Sequence, residues 1–250
     1  MVRIACVKEW LTFTSINDFL KCPRKFYNKY VLKLKSKPNI HFVRGRIAHT
    51  TLEKFFKLQI YAKSGDNYSD VKKGLLDLFE CIWAEHSDEI KSFNLPKHEV
   101  DDYHSNLRMM MINWVTLFMK ENPKELSPQT EVKLFSKKFK VWGKFDVIKN
   151  WLGFPLILDY KISKSMKIDD DQRLQLAIYS LIQYDKTGNL DHMVGIHFLK
   201  FLDGIKIFKP TKKSIQYAID KINIVRAETT STDIKDYPCT CGGWCSEDFV

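Results

Sequence analysis

Two aspartates and a lysine define the chemistry this chain can carry. Asp146 closes the run Gly143-Lys144-Phe145-Asp146. Asp159-Tyr160-Lys161 follows a fully apolar run, Phe154-Pro155-Leu156-Ile157-Leu158. Both stretches read as strands, which sets two carboxylates at neighbouring strand ends with Lys161 two residues past the second. Carboxylate oxygens are hard ligands suited to Mg²⁺ or Mn²⁺. An ion held there relieves the repulsion between the two acids, activates a water and stabilises a leaving oxygen beside a phosphate. The spacing therefore points to metal-dependent hydrolysis of a phosphodiester.

Other residue pairs belong to helices. His49 and Glu53 stand four apart and share a face, as do Gln175 and Tyr179. Glu53 reads either as a partner orienting His49 or as a solvated acid. The cysteines form a second constellation. Cys239-Thr240-Cys241-Gly242-Gly243-Trp244-Cys245 is a compact tail whose glycines allow a tight backbone path. Cys22 precedes Pro23 at an expected helix start, where the helix dipole favours a thiolate. Cys6 and Cys81 fit no pattern and read as unliganded.

The elements that must position these groups follow from periodicity. Ser15 with Asp18 three residues on suggests a capping box for a first helix, and Pro23 opens a second one carrying Phe26, Tyr27 and Tyr30. Residues 1–13 read as a short strand or extended arm. A helix over about 43–62 carries His49, with Gly65 and Asp66 breaking the pattern. Two long amphipathic helices, 69–93 and 98–121, form a helical insertion over 66–122, ended by Asn122-Pro123. Strands are expected at 130–136, 139–149, 154–161, 192–201 and 205–208, with a hairpin signal at Asp203-Gly204. Helices over 169–185 and 211–228 complete an α/β chain, read as one domain over 1–250.

Composition narrows the partner. The 250 residues are 44% hydrophobic, which makes the chain globular rather than disordered. The formal charge of +10 points to an anionic partner, nucleic acid first. No acid occurs between Asp18 and Glu53, a stretch holding Lys21, Arg24, Lys25, Lys29, Arg44 and Arg46. A second acid-free run, Lys133 to Lys144, lies just before Asp146. These runs read as a surface tracking phosphates. No signal peptide or long apolar span is visible, so the expected location is cytoplasmic, with no membrane contact. In that setting cysteines serve as thiols or metal ligands rather than disulfides.

The order of these motifs resembles the PD-(D/E)xK nuclease superfamily, and within it the RecB-like branch. Gly45-Arg46-Ile47-Ala48-His49-Thr50-Thr51-Leu52-Glu53 looks like that branch's histidine helix. Gly143 to Asp146 and Asp159 to Lys161 look like its two acidic motifs, and Gln175-Leu176-Ala177-Ile178-Tyr179 like its final one. The resemblance implies a restriction-endonuclease-like core, with a mixed central sheet flanked by helices. It implies a metal shell of His49, Asp146, Asp159 and the Tyr160 main-chain carbonyl. Lys161 then orients or deprotonates the attacking water, or steadies the scissile phosphate. Gln175 and Tyr179 contact DNA or position Lys161. Arg24, Lys25, Arg44 and Arg46 guide the strand.

Cys22 followed by Pro-Arg-Lys-Phe, with three cysteines at the far end, resembles the iron–sulfur form of these nucleases. That implies a [4Fe–4S] cluster on Cys22, Cys239, Cys241 and Cys245, stapling the two ends of the chain. Zinc is the alternative ion for four thiolates, and the Cys-x-Cys-x₃-Cys spacing is tighter than the family's. A chain of this size without a Gly-x-x-x-x-Gly-Lys-Ser/Thr motif looks most like the CRISPR-associated exonucleases that trim single-stranded ends during spacer acquisition. A CRISPR integrase complex is then the implied partner, and a ring-forming oligomer is allowed by the same analogy. A viral or repair nuclease shares the chemistry. A DNA-binding assembly subunit with a vestigial site is the reading from another class.

Overall fold

The computed structural model describes residues 7–63, 67–121 and 128–249. Cys6, the Gly65-Asp66 break and the Asn122-Pro123 stop lie outside these residues.

A mixed five-stranded sheet organises the chain, with strands in sequence order β1-β2-β3-β4-β5. The strands are β1 (Gln129–Ser136), β2 (Val141–Trp151), β3 (Phe154–Lys161), β4 (Met193–Phe198) and β5 (Ile205–Phe208). β1, β2 and β3 are successive antiparallel neighbours, β3 and β4 run parallel, and β5 returns antiparallel. A parallel pair needs a long crossover, and α8 (Asp170–Thr187) supplies it.

Both faces of the sheet are covered. On one lie α1 (Phe13–Lys21), α8 and α9 (Lys212–Glu228), which bury Ile157, Val194 and Ile196 of the strands. On the other lie α3 (Ile40–Lys57), α5 (Tyr68–Glu85) and α7 (Lys97–Lys120), which bury Leu156, Leu158 and Tyr160. A strand covered on both faces must be apolar at consecutive positions, which accounts for Leu156-Ile157-Leu158. Short helices complete the chain: α2 (Pro23–Phe26), continued by a π turn over Tyr27–Val31, then α4 (Ile60–Lys63), α6 (Ser87–Lys91) and α10 (Trp244–Glu247). No helix among the described residues is long and apolar enough to cross a membrane.

Local chemistry sets the helix ends. α8 opens on a reciprocal pair: Asp169 accepts from the Gln172 N–H at 2.8 Å, and Gln172 accepts from the Asp169 N–H at 3.2 Å. It ends at Gly188, in the left-handed conformation glycine tolerates. The first helix starts earlier than expected. Thr12, not Ser15, is its N-cap, and Ser15 is the reciprocal residue, its hydroxyl accepting from Thr12 N–H at 2.8 Å. Asp18 instead meets Lys29 at 2.9 Å and the Tyr30 hydroxyl at 3.2 Å. Before α1, Leu11 forms a single parallel bridge to Val141.

The expected 69–93 helix is two. The His86 imidazole hydrogen-bonds the Ile82 carbonyl at 2.9 Å, and the His86 main-chain N–H donates to the Trp83 carbonyl at 3.1 Å. The helical ladder breaks there.

His197 on β4 is 3% exposed, edged by the Tyr160 ring at 5.8 Å, and its Nε2 has no partner. Burial, aided by the Lys149 ammonium, pushes its pKa down to about 3. The unfolded chain therefore takes up a proton near pH 6.5 that the folded chain refuses. Stability from this group is complete above pH 6.5 and falls as pH drops toward 3. Urea unfolding at pH 7 and pH 4.5 checks this. The wild type is expected to lose about 2–3 kcal/mol more than His197→Leu between the two. Equal losses would remove His197 as the cause.

Candidate active site

The site is built at a fork in the sheet. The β2–β3 ladder runs from Trp151–Phe154 to Val147–Leu158 and stops. Beyond it β2 stays with β1, while Asp159, Tyr160 and Lys161 stay paired with β4. Asp146 and Asp159 are the first residues past the split. Asp146 is thus not at a strand end, as the sequence suggested, because β2 continues through it. It stands where one ladder ends inside a longer strand. The Tyr160 N–H at the split is taken by the Asp146 carboxylate at 2.7 Å.

β2 also turns over at this point. Residues two apart on a regular strand share a face, yet Phe145 packs with α8 and α9 while Val147 packs with α3, α5 and α7. β1 turns over with it. Glu131, between the pairs Thr130–Val147 and Val132–Phe145, has φ +54°, an unusual and costly conformation for a residue with a Cβ. Its carboxylate comes to the fork: oxygens of Glu131 and Asp146 and a nitrogen of His49 all lie within 4.8 Å of one another. Lys144 pairs with Glu131.

His49 arrives from α3. Val43, Ile47, Ala48, Leu52 and Phe55 form that helix's buried stripe, which seats it against the sheet and sets His49 beside Asp146, Nδ1 to Oδ1 at 3.1 Å. Burial disfavours the imidazolium, but Asp146, with Asp159 behind it, outweighs this and raises the His49 pKa. Glu53 does not support His49; it pairs with Lys57 one turn on.

Asp159 is held from two sides. Lys161 Nζ approaches one oxygen at 2.7 Å, and Gln175 Nε2 donates to the other at 2.6 Å. Burial pushes the Asp159 carboxyl up, against the pull of Lys161. For Lys161 burial works downward, yet Asp159 outweighs it and holds the ammonium charged. The Tyr179 hydroxyl accepts from Gln175 at 3.0 Å and donates to the Lys144 carbonyl at 3.1 Å. Gln175 and Tyr179 are buried, and what they touch is Asp159 and the strand beside it. A Cβ at Gly143 would stand 2.8 Å from the Phe145 ring and 3.1 Å from the Tyr179 ring, so a side chain there would crowd the ring that carries this hydroxyl.

The basic residues divide. Arg24 donates through Nε to the Tyr237 carbonyl at 2.8 Å, and Lys25 pairs with Asp248 at 2.7 Å; both fasten the C-terminal tail. Arg46 pairs with Glu89 and reaches His86 at 3.3 Å, fastening α3 to the α5–α6 joint. The strand-guiding role read from sequence overlooked these internal partners. Arg44 alone of the four turns into a cavity near the site.

Four of the five described cysteines form a separate site at the chain ends. One sulfur from each of Cys22, Cys239, Cys241 and Cys245 lies within 4.8 Å of all the others. Cys239 is 3.7 Å from Cys241 and 3.4 Å from Cys245. Burial opposes a Cys22 thiolate, but the N–H groups of Thr240 and Lys25 outweigh it and bring the thiol down to about 6. Gly243 and Cys245 direct N–H groups at Cys239 and Cys241, at 3.3 and 3.2 Å. The Asn28 amide donates to the Cys245 carbonyl at 3.1 Å, and Phe26 stacks on the fully buried Tyr237. Cys81 is exposed and apart from this group.

The family model of the PD-(D/E)XK nuclease superfamily matches residues 11–246. Among solved structures, a putative exonuclease from Eubacterium rectale superposes with a TM-score of 0.55 at 15% identity, covering 97% of this chain and 89% of that one. At that identity the likeness speaks for the fold. No curated protein sequence matches.

Glu131 is the acid the sequence reading passed over. Calorimetric titration with Mn²⁺ tests it. Glu131→Gln is expected to weaken binding about tenfold or more, in line with the loss of a ligand or its support. Unchanged affinity would exclude Glu131 from the metal shell.

Proposed function

Since the chain belongs to the PD-(D/E)XK nuclease superfamily, we propose that it is a Mg²⁺- or Mn²⁺-dependent deoxyribonuclease that digests single-stranded DNA from its ends. The observation that carries this reading is the meeting of His49, Glu131 and Asp146 with the Asp159–Lys161 pair at one fork. Oxygen and imidazole donors of this kind suit a divalent ion. His49, Asp146, Asp159 and Glu131 would hold it, with the Tyr160 carbonyl added by family resemblance. Bound there, the ion supplies Lewis acidity toward a phosphodiester.

The chain's own residues do the rest. Asp159 keeps Lys161 charged, which supports the role of steadying the scissile phosphate. Gln175 and Tyr179 fix the Asp159 carboxylate, so its oxygens keep one orientation. Tyr160 N–H does the same for Asp146. The net positive charge favours a polyanionic substrate. End-directed digestion draws support from the exonuclease assignment of the solved relative.

For the cysteine site we propose a single zinc ion. Zn–S bonds of about 2.3 Å set tetrahedral sulfurs about 3.8 Å apart, close to the 3.4 and 3.7 Å separations here. A [4Fe–4S] cluster, which the family resemblance implies, uses the same four thiolates and is the alternative. A place in CRISPR spacer acquisition, beside an integrase, draws on the family resemblance.

End-labelled single-stranded DNA, incubated with Mg²⁺ or Mn²⁺ and protein purified without oxygen, tests the activity. Wild type is expected to shorten the strand only with metal, and Asp159→Ala to leave it intact. Folded wild type that binds DNA without cutting it, or equal cutting by both, would replace this reading with a DNA-binding assembly subunit. Elemental analysis of the same preparation tests the second site. About one zinc per chain is expected, and Cys241→Ser is expected to hold less zinc and to melt at a lower temperature; iron with acid-labile sulfide would overturn the zinc proposal.

A further inference from the structure

A cavity of about 470 Å³ opens next to the fork. His41 and Arg44 of α3, Tyr103 of α7, Ile162 and Lys164 after β3, and Lys200 after β4 line it. Two neighbours tie it to the hydrolytic site. Ile162 follows Lys161 directly, and Arg44 lies five residues before His49 on the same helix, about 7.5 Å along its axis.

Arg44 is the unusual member. It is 8% exposed, and its guanidinium lies 4.3 Å over the Tyr103 ring. Nη1 reaches the His41 imidazole at 3.3 Å, while the buried Nε has no hydrogen-bond partner. Among the described residues no carboxylate pairs with it. Glu99 and Asp102 line the same cavity, yet neither forms an ion pair with the guanidinium.

A buried charge without a counter-charge is unfavourable unless something else completes it. Tyr103 fixes the plane of the fork, and His41 occupies one donor. The donors left over match a tetrahedral oxyanion, which guanidinium groups grip through paired N–H bonds. Lys164 and Lys200 add two further cations at the wall.

We propose that Arg44 and its cavity form a phosphate subsite, which holds a backbone phosphate of the substrate strand flanking the scissile one. The subsite rests on the nuclease reading above and explains how the strand is registered against the fork. Arg44 is a binding residue in this scheme and takes no part in bond breaking.

The test uses the full-length protein and short single-stranded oligonucleotides in which one phosphate at a time is a neutral methylphosphonate. Wild type is expected to lose about 10- to 100-fold in affinity or in kcat/KM when one flanking position is neutralised. Arg44→Met, which keeps an unbranched side chain beside Tyr103 and removes the guanidinium, is expected to bind the normal strand as weakly and to ignore that same substitution. A merely structural role would weaken binding without abolishing this positional response. If wild type shows no sensitive flanking position, or Arg44→Met keeps it, the subsite is overturned. If Arg44→Met does not fold, Lys164→Gln with Lys200→Gln is read instead, expected to weaken the same position, and unchanged sensitivity overturns the subsite. Binding is measured without metal by anisotropy, so a wild type that never cuts DNA defeats the nuclease reading while the subsite is still read from affinity.

Discussion

Three carboxylates brought together out of water repel one another, and the rest of this structure is arranged around that repulsion. Glu131, Asp146 and Asp159 converge where β2 and β3 part. Each has its own counterweight: Lys144 for Glu131, His49 and the Tyr160 N–H for Asp146, and Lys161 with Gln175 for Asp159. These partners come from opposite sides of the sheet. His49 requires α3 on one face, and Gln175 and Tyr179 require α8 on the other. A sheet enclosed in this way must be apolar at consecutive strand positions, so the composition of β3 follows from the charges at its end.

β3, β4, α8 and α9 were readable because their apolar patterns are undisturbed and their bounds are marked. Leu156-Ile157-Leu158 announces a strand covered twice, and Gly188 announces the end of α8. Asp159, Lys161, Gln175 and Tyr179 fall near one another because a strand end and the following helix start are close in any crossover. Glu131 was not readable in that way. Nothing in a residue's identity marks a left-handed glutamate within a strand, and its acidic charge is submerged among lysines. Counting outward from the turn after Ser136 would have set it opposite Asp146. The start of α1 was misplaced because Thr12 and Ser15 are both good caps, and only the path of the preceding chain chooses between them.

Charge read along the sequence also said less than charge read in space. The acid-free stretch before Glu53 looked like a continuous phosphate-tracking surface. Folding brings Asp248, Glu89 and backbone carbonyls of the tail against Lys25, Arg46 and Arg24. Long-range partners of this kind have no local signature. Arg44 differs because its neighbours are rings, Tyr103 and His41, which orient a cation without neutralising it.

The overturn of β1 and β2 at Glu131 and Asp146 has a consequence for how this hairpin can change over evolution. Each acid lies five residues from the closing pair Ser136–Val141, one on either arm. Residues added to the turn leave both acids opposite each other, so the turn is free to lengthen or shorten. A single residue gained or lost within one arm would carry one acid past the other and bring the face switch of one strand against a regular stretch of its neighbour. Indels in the arms would have to occur as matched pairs, which makes the eight residues between the acids and the closing pair the least tolerant length in the hairpin.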